Sequence, residues 1–239
     1  MSNSLFILYH LGLGDNIICN GMVNYLSEYY DEITLPVLEP YLNTLKWLYF
    51  NNKKVNFCVV SNNVQEVHNK AKESGKNLLK IGLYNEESWA KKPQEHVMRW
   101  DNYLYVQANL DFELSWDYFK CPSSVKTWEY FRDKYNIQDE FCLIHEDVSR
   151  GMIIDRNRIN KNLDIFCVEK EKTPVFFENM PLLYKAKELH CIESSFILFI
   201  DRLNDLDINE KGFMHQYVRC GKAGSMENPS TIKKNWIIL

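Results

Sequence analysis

No stretch of this chain reaches the roughly 18 apolar residues in a row that a membrane-spanning helix needs. The N-terminus lacks the basic region of a secretory leader and soon meets Gly12, Gly14 and Asp15, so no signal peptide is expected. A basic excess is missing too. Lys and Arg number 28 against 32 Asp and Glu, for a net charge of −4, which argues against a nucleic-acid partner. The cysteines are odd in number, seven, and contain no CxxC. Most sit inside apolar runs such as Phe57-Cys58-Val59 and Phe141-Cys142-Leu143. They read as reduced thiols serving as small hydrophobes, in a cytoplasmic protein. There is no internal repeat, Walker loop, nucleophile elbow or HExxH, and His68, His96 and His215 show no zinc-ligand spacing. No metal and no bound cofactor are therefore expected.

The 239 residues leave room for one large or two small domains with a real core. Short apolar runs alternate with helical patterns. Residues 5–10 are apolar and stop at the glycines, the signature of a buried strand. Ile17, Ile18, Met22, Val23, Leu26 and Tyr30 then mark one face of a helix over 16–30. Strands are predicted at 33–37, 55–60 and 78–83, with helices at 42–50 and 64–72. The rhythm resumes after an aromatic-rich stretch at 89–119. A serine-capped helix is predicted over 125–135, then strands at 141–145, 163–168, 189–192 and 213–218, with a further candidate at 152–154. Helices at 181–187 and 194–203 fill the gaps. This is an α/β pattern with mainly parallel sheets, in two Rossmann-like halves, 1–120 and 121–239.

Three places carry chemistry. Gly12 and Gly14 lie between the first strand and first helix, where glycines let the backbone turn and approach a ligand. The third glycine of a dinucleotide fingerprint is missing, since position 17 is Ile17. Asp15 is either the helix cap or a general base at the edge of a cleft. At the second place, an apolar strand containing His190 runs into Glu193, Ser194 and Ser195, which open an apolar helix. Ser194 can cap that helix, and the free amides of its first turn suit a phosphate. His190 is open to a plainer reading as a core residue, and Glu193 to either a ribose contact or a favourable charge at a helix start. The third place follows the strand at 141–145. There His145 and Arg150 sit at a carboxyl end, with Arg150 suited to a bidentate phosphate contact or to a salt bridge with Glu146 or Asp147. Trp89, Trp100, Tyr103 and Trp116 offer sugar-stacking faces or core packing. Asp205 and Asp207 have DxD spacing but trail a helix in a polar stretch, as do solvated helix ends.

The segment His10-Leu-Gly-Leu-Gly-Asp-Asn-Ile-Ile-Cys-Asn-Gly21 resembles the opening of heptosyltransferase-like enzymes. Glu188-Leu-His-Cys-Ile-Glu-Ser-Ser195 looks like the donor-phosphate motif of small GT-B-like glycosyltransferases of polysaccharide or viral glycan synthesis. The resemblance implies a compact GT-B arrangement, two halves facing a cleft, with an acceptor-side first half and a nucleotide-sugar-binding second half. It implies a metal-independent, inverting glycosyltransferase with Asp15 as catalytic base and a glycan hydroxyl as acceptor. Gly12, Gly14, His145, Arg150, His190, Glu193, Ser194 and Ser195 would bind the donor. A methyltransferase using S-adenosylmethionine, and a silent nucleotide- or glycan-binding module, are the alternatives. The sugar, nucleobase and oligomeric state leave no fixed spacing in such a sequence.

Overall fold

The computed structural model describes residues 3–85, 100–148, 151–168, 176–215 and 231–239. The chain divides into two compact units, Met1–Pro122 and Ser123–Leu239. Among the described residues no helix is long and apolar enough to cross a membrane.

The first unit is built on a parallel sheet of β1 (Ser4–Leu8), β2 (Glu32–Leu38), β3 (Val55–Val60) and β4 (Asn77–Lys80), in the order β3-β2-β1-β4. Every residue of β1 is buried, which is why its sequence is continuously apolar rather than alternating. On one face, Phe6 and Leu8 pack with Leu11, Val60, Val67, Ala71 and Tyr84. Val67 and Ala71 belong to α4 (Val64–Glu73), which follows α3 (Leu42–Leu48) and whose start is capped by Asn63 Oδ1 accepting from the Glu66 amide at 3.1 Å. Pro36, unusual inside a sheet, lies beyond Thr34, the last residue of β2 paired to β1, and keeps only its β3 neighbour.

The helix expected over 16–30 is two shorter ones, α1 (Leu13–Ile18) and α2 (Asn20–Leu26). The cause comes from far along the chain. Tyr105, on α5 (Trp100–Gln107), inserts its hydroxyl into the ladder: it donates to Ile18 O at 2.7 Å and accepts from Met22 N at 3.0 Å. These are the two groups that would otherwise bond directly in an unbroken helix. Ser115 Oγ, on α6 (Leu114–Asp117), also donates to Ile18 O, at 3.2 Å. Gly21 permits this packing. A Cβ there would stand 2.0 Å from Leu114 O.

The second unit carries β5 (Phe141–His145), β6 (Asp164–Cys167), β7 (Glu188–Ile192), β8 (Gly212–His215) and β9 (Ile237–Ile238). They are all parallel, in the order β6-β5-β7-β8-β9. Its helices are α7 (Trp128–Tyr135), α8 (Met180–Lys185) and α9 (Ser195–Arg202). Two expectations need correction. The cap of α7 is Thr127, not a serine: its Oγ1 accepts from Tyr130 N, while Ser124 Oγ donates to Glu178 O. Residues 152–154 form no strand; Met152 makes only an isolated antiparallel bridge with Asp147. The strand β9, just two residues long, was not anticipated, and positions 216–218 lie outside the described residues.

Candidate functional site

In a parallel sheet, ligands bind beyond the carboxyl ends of the strands, where the chain reverses the direction in which strands are added. In the first unit that point lies between β1 and β4, and in the second between β5 and β7. Gly12, Gly14 and Asp15 fall at the first of these places, and His145, Glu193, Ser194 and Ser195 at the second.

In the first unit the helix cap is Gly12, with extended backbone and no side-chain cap bond. Asp15 is therefore not the cap; it is the third residue of α1, its carboxylate folded back on the loop. A Cβ on Gly12 would stand 2.7 Å from Asp15 Oδ2, so any side chain there displaces the carboxylate. Gly14 is the second residue of α1. The loop is braced by Asn16, whose Nδ2 donates to Gly12 O at 2.8 Å and whose Oδ1 accepts from the Tyr9 hydroxyl. Trp100 Nε1 donates to Asp15 Oδ1 at 3.4 Å, and the Trp100 ring meets the edge of His10 at 4.5 Å between centroids. Burial pushes the Asp15 carboxyl above its usual range, with His10 and the Trp100 bond opposing. Burial likewise lowers His10, against the pull of Asp15. A half-buried carboxylate beside an imidazole and an indole can accept a proton from a hydroxyl.

Gly82 closes the site from the β4 side. Its φ is +64°, and a Cβ would lie 2.4 Å from the His10 ring, so only glycine serves both the turn and the contact. Its amide donates to Gln107 Oε1 at 2.5 Å. Neither His10 nor Gly82 was singled out from the sequence as a site residue. The signal for both was their position just past the ends of β1 and β4.

In the second unit His145 ends β5 and Ser194 caps α9, its Oγ accepting from Phe196 N at 3.1 Å. His145 Nδ1 and Ser194 Oγ are 3.3 Å apart, and the His145 ring stacks on Phe196 at 4.7 Å. Burial lowers His145 to about 4, with Asp147 and Glu146 opposing, so the ring is neutral at neutral pH. Ser195 is the first residue of α9, and Glu193 sits between β7 and the cap. Arg150 lies outside the described residues. Glu146 is engaged with Arg156: two bonds, at 2.8 and 2.7 Å, join carboxylate and guanidinium, and Ile154 N donates to the same carboxylate at 3.0 Å.

His190 does not join this group. In register it pairs with Ile144 rather than His145, so it projects from the opposite face of the sheet. There its Nε2 is 3.1 Å from Glu188 Oε2 and its Nδ1 is 2.9 Å from His215 Nε2.

Of the aromatics, Trp116 is buried against Phe112 and serves the core, Trp100 stands beside Asp15, and Trp89 lies outside the described residues. Asp205 and Asp207 are exposed and locally bonded, to the Tyr184 hydroxyl and the Asn209 amide. A groove of about 370 Å³ lined by Lys53, Lys54 and Lys120 among others contains none of the candidate residues.

No family model matches the sequence, and no curated protein does. Solved structures do match. TibC, an iron-containing dodecameric glycosyltransferase from enterotoxigenic E. coli, aligns at a TM-score of 0.48 and 13% identity, over 83% of this chain and 55% of its own. A glycosyl transferase family 9 protein from Veillonella parvula aligns at a TM-score of 0.55 and 13% identity, over 99% of this chain and 86% of its own. The chain thus has an α/β fold of two parallel-sheet units similar to that of a family 9 glycosyl transferase.

Proposed function

We propose that this protein is a glycosyltransferase that moves a sugar from a nucleotide-sugar donor to a hydroxyl of a glycan acceptor, with inversion and without a metal. The observation that carries the reading is the Asp15 carboxylate, half-buried at the chain-reversal point of the first sheet between His10 and Trp100.

In this reading Asp15 takes the proton of the acceptor hydroxyl as that oxygen attacks the anomeric carbon. A carboxylate raised by burial is a better base than an exposed one, and the hydroxyl becomes acidic as the new bond forms. The Trp100 face beside Asp15 suits an apolar face of a sugar ring. On the donor side, charge accumulates on the departing diphosphate. The amide end of α9, with Ser194, Ser195 and a neutral His145 donating through a ring N–H, is suited to take it. Gly12 and Gly14 let the first loop come close to a ligand. Arg150 and Glu193 keep their assigned donor roles, in phosphate and ribose binding, as parts of the proposal. His190 has no part in it, because of the face it occupies. A cytoplasmic location accords with donors of this class.

The test is a thermal-shift and turnover screen of the purified chain against UDP-, GDP- and ADP-sugars, with S-adenosylmethionine as a comparator. A nucleotide sugar should stabilise the chain and be consumed. Asp15→Asn should keep the stabilisation and lose about 10²–10⁴ in turnover. Ser194→Ala should chiefly weaken donor binding. A shift with S-adenosylmethionine alone would favour the methyltransferase, and donor binding without hydrolysis or transfer would favour a binding module.

A further inference from the structure

The face of the second sheet opposite His145 is lined by Cys142, Ile144 and Ile192, packed with Ile154, Ile159 and Leu163 from the connection after β5. A polar cluster is set into this apolar surface. Glu188 and His190 are two residues apart on β7 and so share a face, and Cys142 on β5 is the register partner of Glu188. The sulfur of Cys142, a carboxylate oxygen of Glu188 and a ring nitrogen of His190 all lie within 4.8 Å of one another. Cys142 and His190 are fully buried. The imidazole and the carboxylate are already hydrogen-bonded, and all three side chains are donor types that a metal ion takes.

We propose that Cys142, Glu188 and His190 form a binding site for one divalent ion of the zinc type, with His215 as a positioning residue. Sulfur, imidazole nitrogen and carboxylate oxygen are the donors such an ion takes. The 3.1 Å between His190 Nε2 and Glu188 Oε2 is close to the roughly 3.3 Å separating two tetrahedral ligands with bonds of about 2.0 Å. The thiol then needs to close by at most about 1.3 Å to reach tetrahedral spacing. The other nitrogen of the ligand histidine is already held, 2.9 Å from His215 Nε2, as ligand imidazoles usually are. Phe213 stacks on the His190 ring at 4.5 Å and fixes its plane.

Without an ion the same groups form a hydrogen-bonded chain. His215 Nε2–H donates to His190 Nδ1, and His190 Nε2–H donates to Glu188. Binding reverses that order. His190 carries its proton on Nδ1 and donates to His215, whose own proton moves to Nδ1, while His190 Nε2 turns its lone pair to the ion. The Cys142 thiol gives its proton to water and binds as thiolate, so one proton is released per ion. Three protein donors leave one position for water. The site lies on a sheet face away from the His145–Ser194 pair, so it is independent of the sugar-transfer reading.

The test uses the full chain, stripped with a chelator under a non-thiol reductant and titrated with Co²⁺. Saturation at one ion per chain is expected, with a thiolate-to-cobalt charge-transfer band, tetrahedral visible bands, and displacement by Zn²⁺ that raises the melting temperature. Cys142→Ser should abolish the charge-transfer band, Cys58→Ser in the other unit should retain it, and His215→Gln should weaken binding about 10–100-fold. Absence of the band from the unsubstituted chain at one equivalent overturns the proposal, and that result depends on no variant folding. Persistence of the band in Cys142→Ser, or its loss in Cys58→Ser, overturns it as well.

Discussion

Replacing Tyr105 by Phe removes one hydroxyl and keeps the ring, which isolates what the break between α1 and α2 depends on. That hydroxyl is the acceptor for Met22 N and a donor to Ile18 O. The Ile18 carbonyl retains Ser115 Oγ, but Met22 is fully buried and its amide loses its partner. An orphaned buried donor costs about 1–3 kcal/mol. The helix cannot simply close and restore the direct bond, because α2 is held against Leu114 through Gly21, where not even a Cβ fits. For a unit of this size the cost corresponds to a melting temperature lower by roughly 4–10 °C. Urea unfolding would read the stability, and hydrogen exchange at the Met22 amide would read the site itself. Each 1.4 kcal/mol of lost local stability should speed exchange by about tenfold. An unchanged unfolding midpoint with Met22 still protected would refute the reasoning, since it would mean the ladder repairs itself without the tyrosine.

Asp15→Asn should leave the protein at least as stable at pH 7 as the parent. Burial raises the carboxyl, so the folded state holds its proton more tightly than the unfolded one, and ionisation costs stability as pH rises from about 4 through the raised value; urea midpoints at pH 4 and pH 7 would show the gap opening upward, while the parent's kcat/KM should fall on the acid side. Glu146→Gln has the opposite sign. Arg156 holds that carboxyl below its usual range, so the pair stabilises the fold above the unfolded carboxyl's range and loses its effect as pH falls through the lowered value; with the guanidinium partly in solvent, the loss at pH 7 should be about 1–3 kcal/mol by denaturant titration. Gly82→Ala and Gly75→Ala form a matched pair, since φ is +64° at one and +65° at the other. Both should cost about 1 kcal/mol or more for the backbone, but only at 82 does the new methyl strike His10, so only there should turnover also fall.

The sequence showed most plainly what depends on neighbours in the chain. The strands β1 and β5 were visible because burial on both faces demands unbroken apolar runs. His145 and Ser194 could each be placed at the end of a strand, and a parallel sheet brings such ends together. What escaped was set at a distance. The break after Ile18 is made by a residue more than eighty positions away, and no local pattern records it. The resemblance implies a donor-binding role for His190, with a core role as the plainer reading, but the alternation of a strand sends it to the face away from His145 and Ser194. His215 had no metal-ligand spacing because its partner, His190, comes from another strand through sheet register, which spacing along one segment does not encode.

The amide of Lys120 donates to Asn20 Oδ1, a bond between residues 100 positions apart. During synthesis on a ribosome, α2 therefore waits for almost the whole of its own unit before this clasp can fasten. Everything it waits for nevertheless precedes β5, which begins at Phe141. The N-terminal half can thus mature while the remainder of the polypeptide is still being made, and a nascent chain arrested soon after Pro122 emerges should already resist protease.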